Sequence, residues 1–118
     1  DWPGTNASWY TSNPLRGIYA AVTRQTLDGH PEGGWFPEER IDVETALRAY
    51  TLNQARVAGQ EDLKGRIAPG LLADLAVLDE DPFEIPPEAL KDVEVLWTVV
   101  VGEVVYRRGA AAVAGPET

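Results

Sequence analysis

Lys64-Gly65-Arg66-Ile67-Ala68-Pro69-Gly70-Leu71-Leu72-Ala73-Asp74-Leu75-Ala76-Val77-Leu78-Asp79 is the stretch whose reading decides the fold. It predicts a short strand over 65–67, a Pro-Gly turn, and an apolar strand over 74–78. Proline presets φ for the first central position of a tight turn, and glycine takes the positive φ that follows it. A lone carboxylate, Asp74, opens the apolar run. Charge is costly to bury without partners. Asp74 is therefore expected to accept local backbone or hydroxyl hydrogen bonds and to hold the 68–74 turn, with no part in binding metal. Asp79-Glu80-Asp81 lacks the interleaved ligands and glycine of a calcium loop and reads as a strand-ending turn.

Downstream the texture stays β. Residues 88–91 form a helical turn behind Pro86-Pro87. Val95 to Val101 is a near-continuous apolar run rich in β-branched residues, which predicts a strand covered on both faces. Gly102-Glu103 has the Gly-X form of a two-residue hairpin loop and returns the chain through Val104-Val105-Tyr106. Residues 110–118 are small and polar, a tail expected to fray.

Upstream the period changes to helical. Asn13-Pro14 supplies a cap and a proline for the first turn. Leu15, Ile18, Tyr19 and Val22 then form one apolar stripe of a helix ending near Arg24. Residues 25–40 make a loop long enough to be functional or packed by its own side chains, with Trp35 and Phe36 as anchors. Asp42 caps a second helix carrying Val43, Ala46, Leu47 and Tyr50, with Glu44 well placed in its first turn. Thr51 and Asn53 compete for backbone hydrogen bonds. They predict a break, with Asn53 capping a short third helix that Gly59 ends. Residues 1–12 read as loop, and the chain holds no internal repeat.

Composition narrows the function. The 118 residues are 44% hydrophobic and 25% charged, a globular mixture. A net charge of −9 argues against nucleic acid or an anionic membrane as partner. There is no cysteine and one histidine, His30. That excludes a disulfide framework, a thiolate zinc site and a self-contained imidazole site. No apolar run approaches the roughly 20 residues of a membrane helix. No secretory signal opens the chain. The cytoplasm is the default compartment. Methionine is absent and Asp1 begins abruptly, so a cut or processed product is expected.

Several motifs in order resemble one family. Asp1-Trp2-Pro3 precedes Asn13-Pro14-Leu15, Gly17-Ile18-Tyr19-Ala20-Ala21-Val22-Thr23-Arg24, Gly34-Trp35-Phe36-Pro37-Glu38-Glu39-Arg40 and Ala46-Leu47-Arg48-Ala49-Tyr50-Thr51. The Lys64–Asp79 pattern and the Thr98–Val105 hairpin complete the series, over roughly residues 1–108. Together they resemble the C-terminal part of metal-dependent amidohydrolases, in the branch of YtcJ-like proteins and N-substituted formamide deformylases. D-aminoacylase or dihydroorotase relatives rank lower because of the Gly34–Arg40 stretch.

The resemblance implies an α/β fold: the last βα unit of a (β/α)₈ barrel over residues 1–62, followed by strands of a small β-sandwich over 63–109. The remaining strands would come from the N-terminus of a longer parent. It also implies the chemistry. Asp1 matches the aspartate ending the eighth strand, a metal ligand or near neighbour and the general base toward metal-bound water. Barrel active sites lie at the C-terminal ends of strands, and zinc lowers the pKa of bound water to about 7. The expected cofactor of the parent is a divalent metal, zinc foremost. The histidine and lysine ligands are not in this chain. One carboxylate does not make a zinc site, so no metal and no activity are expected of the 118 residues alone.

Other candidates carry two readings each. Trp2 and Trp35, with Trp9 and Phe36, can line an apolar substrate pocket or pack against the missing barrel. Arg24 and Arg40 can clamp a substrate carboxylate or pair with Glu38 and Glu39. His30 reads as an exposed loop residue. The leading hypothesis is part of a hydrolase acting on non-peptide C–N bonds of a small-molecule amide, in a possible homo-oligomer. The competing one is a non-catalytic β-rich packing or dimerisation module.

Overall fold

The computed structural model describes residues 12–109, which contain three α-helices, two 3₁₀ turns and one antiparallel sheet. Asp1 and Trp2, and the 110–118 tail, lie outside the described residues. The chain divides into two compact units. One holds the residues up to Leu47 together with Pro82–Val93, and the other holds Arg48–Asp81 and the chain from Glu94 onward.

In the first unit, α1 spans Pro14–Thr23. The Asn13 side chain accepts the Leu15 amide at 3.0 Å, satisfying one of the donors a helix start leaves open. Of the expected stripe, Leu15, Ile18 and Tyr19 are buried and Val22 is half-buried. The helix stops because Thr23 turns its hydroxyl back onto the Tyr19 carbonyl at 2.7 Å and then accepts the Gln25 amide. Arg24 follows in the left-handed region at φ 58. The 3₁₀ segment Pro87–Asp92 packs against α1. Leu90 there is fully buried, worth about 1.5–3 kcal/mol relative to exposure. Lys91 donates to the Glu88 carbonyl and holds its ammonium 5.2 Å from the Tyr19 ring centre.

Helix α2 runs Val43–Tyr50 and is capped as expected, with Asp42 accepting the Thr45 amide at 2.7 Å. The break also appears, but one residue differs. Thr51 (φ −123, ψ −93) occupies the cap position of α3, Leu52–Val57, and Asn53 lies inside that helix. The backbone turn at Thr51 ends α2 and starts α3 together, which places Asn53 in the first turn of α3, past the cap position. Gly59 then takes φ 66 and its amide bonds the Arg56 carbonyl, a left-handed stop of the kind glycine favours.

In the second unit, the strand expected over 65–67 is absent. Gly65 sits at φ 104, where a Cβ would come within 2.7 Å of the Ala55 Cβ and 3.1 Å of the Leu52 Cα. Positive φ cannot continue an extended pleat, and Ile67 is 89% exposed. The close pass over α3 uses the glycine instead. The Pro-Gly turn forms as read: Gly70 takes φ 88 and the Leu71 amide donates to the Ala68 carbonyl, the pattern of a type II turn.

The sheet has the order β1-β2-β3, with β1 Leu75–Leu78, β2 Val95–Val100 and β3 Glu103–Arg107. Thr98 lies between Ala76 and Tyr106, and Trp97 between Val77 and Arg107. The hairpin loop is Val101-Gly102, one residue earlier than expected, because Glu103 already pairs with Val100. Both loop residues have positive φ, 50 and 80. These are the signs of a type I′ turn, whose twist matches that of the strands. The expectation of cover on both faces also fails among the described residues: Trp97 is 42% exposed, and Val77, Val100, Val105 and Tyr106 are similarly open.

Candidate functional site

The loop after α1 is built to display two aromatic rings. Arg24, at the helix end, accepts the Trp35 amide on its carbonyl at 2.8 Å and donates its Nε to the Trp35 carbonyl at 3.0 Å. Its guanidinium also lies 5.4 Å from the Trp35 ring centre, within cation–π range. The Ile41 amide donates to Ala21, closing the loop back onto α1. Gly34 makes the close approach possible: at φ 94, a Cβ there would meet the Thr23 carbonyl oxygen at 2.6 Å. Phe36 follows in the left-handed region at φ 48, with its ring edge-on to Trp35 at 4.8 Å. Trp35 is 62% exposed and Phe36 53%. Left-handed backbone at a non-glycine residue is strained, and this loop uses it beside two exposed rings.

Arg24 and Arg40 do not face a shared anion site. Each is turned onto the loop's own backbone, Arg24 onto Trp35 and Arg40 onto the Gly33 carbonyl. Their alternative pairing with Glu38 and Glu39 gives way to the same contacts. The two guanidinium groups thus serve as staples on the loop carbonyls at 33 and 35.

His30 is exposed, as read, and its backbone brackets Thr26: the Thr26 amide donates to the His30 carbonyl and the His30 amide to the Thr26 hydroxyl. The Thr26 hydroxyl also donates to Asp28. That bond is the main reason the Asp28 carboxyl is held below its ordinary range; its own backbone amide and the nearby His30 add to the effect. The Tyr19 hydroxyl donates to the Thr26 carbonyl at 2.7 Å, tying this turn to the core of its unit.

Asp74 is exposed and does not hold the 68–74 turn. Its Oδ1 accepts the Val101 amide at 2.9 Å, 27 residues away, while the Gly102 amide donates to the Ala73 carbonyl. The carboxylate thus pins the hairpin tip. Asp79 acts similarly at the other end of the sheet, accepting the Glu94 amide at 2.8 Å. Arg108 bridges Glu94 at 2.7 Å and Asp79 at 3.9 Å. These long-range uses were not readable in sequence. The one available signal was glycine at 102 behind a β-branched run.

Asp1 and Trp2, the residues expected to carry catalysis and part of the substrate pocket, lie outside the described residues. Among the described residues no group of three or more His, Cys, Asp or Glu is placed to hold a metal ion. The donor set at hand therefore does not fit a metal site by itself. Among them, too, no helix is long and apolar enough to cross a membrane.

Comparison with known proteins agrees with the order of motifs. A family model described as the amidohydrolase family matches residues 7–106. The chain is 37% identical over 98 residues to an N-substituted formamide deformylase of Arthrobacter pascens, covering 83% of this chain and 18% of that protein. It is 36% identical over 105 residues to YtcJ of Bacillus subtilis (strain 168), covering 89% of this chain and 20% of YtcJ. It is 36% identical over 108 residues to Protein LONG AFTER FAR-RED 3 of Arabidopsis thaliana, covering 90% and 17% respectively. The chain thus spans about a fifth of the length of these relatives. No solved structure matches it significantly. The chain belongs to the amidohydrolase family, in the branch of YtcJ and N-substituted formamide deformylase.

Proposed function

We propose that this chain is the C-terminal part of a hydrolase that cleaves a non-peptide C–N bond, of the amide or formamide type, in a small molecule. The observation that carries the proposal is the family match over residues 7–106, together with 37% identity to a formamide deformylase. In this reading residues 1–62 end a (β/α)₈ barrel, with α1 to α3 among its outer helices. Residues 63–109 contribute strands to a β-sandwich that other parts of the polypeptide complete. The open, apolar sheet face around Trp97 and Val77 supports such a completion.

Asp1 is the general base of the proposed reaction. Its carboxylate takes a proton from the water that attacks the carbonyl carbon and returns it to the leaving nitrogen as the C–N bond breaks. Trp35, with Trp2, borders the apolar end of the substrate. A divalent metal, zinc foremost, would be held by Asp1 or close beside it, together with histidine and lysine ligands elsewhere in the protein. The cytoplasm is the proposed compartment.

The test compares turnover and bound zinc in the longer protein and in its Asp1→Asn variant. The amide is nearly isosteric but cannot accept the proton. Loss of general-base catalysis should cost about 10²–10⁴-fold in turnover, with a smaller effect on substrate binding. A variant keeping near-full turnover would end the catalytic assignment. A longer protein with neither zinc nor hydrolysis would favour the second reading, a β-rich packing or dimerisation module. In that module the same exposed sheet residues would meet a second copy of the chain, and solution mass tests it.

A further inference from the structure

We draw no further inference here: the strongest candidate, the exposed Trp35–Phe36 pair on the loop that Arg24 and Gly34 clasp to the end of α1, belongs to the site already described, and nothing in the structure shows what covers it.

Discussion

Replacing Asp74 with alanine should loosen one end of the sheet and leave the other intact. The substitution removes the acceptor of the Val101 amide and spares the bond from the Gly102 amide to Ala73. The tip it releases is strained, with Val101 at φ 50. Left-handed backbone costs an L-residue about 1–2 kcal/mol, and β-branching makes it a genuine outlier. An intramolecular hydrogen bond is worth about 0.5–1.5 kcal/mol net. Asp74 is exposed, so water replaces part of that, and the lower portion of the range, about 0.5–1 kcal/mol, applies. At about 1.4 kcal/mol per tenfold, protection of the Gly102 amide from hydrogen exchange should fall about two- to fivefold. Gly102 is the right reporter because its own acceptor is untouched.

Val101→Asn should act in the opposite direction. It creates the Asn-Gly pair that type I′ turns favour and keeps the amide that Asp74 accepts. Val101 is 62% exposed, so the burial it gives up is worth under about 1 kcal/mol. Native-state exchange at Gly102 in the longer protein, read by NMR or mass spectrometry, distinguishes the cases. Unchanged exchange in Asp74→Ala, or faster exchange in Val101→Asn, would refute the account of the tip.

Three further outcomes follow from the same geometry. Asp42→Ala should destabilise α2 by removing the Thr45 cap. Hydrogen bonds from the Thr45 side chain and then its amide hold the Asp42 carboxyl below its ordinary 3.8. Its contribution is therefore complete above that value and lost as pH falls through the lowered one, so urea midpoints of parent and variant should converge in acid. Gly34→Ala should cost clearly more than Gly102→Ala: the first meets the Thr23 carbonyl at 2.6 Å, whereas the second has nothing within 4 Å and incurs only conformational strain of about 1–2 kcal/mol; equal melting temperatures would contradict this. Tyr19→Phe removes a buried hydroxyl's bond to the Thr26 carbonyl and should lower stability by about 0.5–1.5 kcal/mol in denaturant titration, with no loss of α1.

Much of the local chemistry was legible, though Asn53 as the cap of α3 was not. Asn13 and Asp42 cap helices from two or three positions away, and the Ala68–Leu71 turn closes by the rules for Pro-Gly. The 15/18/19/22 stripe buries its first three residues and half-buries Val22. The family, too, was readable, since its signature is the order of motifs along the chain. Tertiary structure decided everything that depends on distant partners. Gly65 left the extended state because α3 passes too close for a Cβ. The hairpin loop moved to Val101-Gly102, where the Asp74 carboxylate captures the valine amide. Arg24 and Arg40 became backbone staples because the folding of their loop brought carbonyls 11 and 7 residues away within reach. A side chain's own conformational preferences span a few residues, whereas its hydrogen-bond acceptor is selected by the folded chain, and no local period encodes that choice.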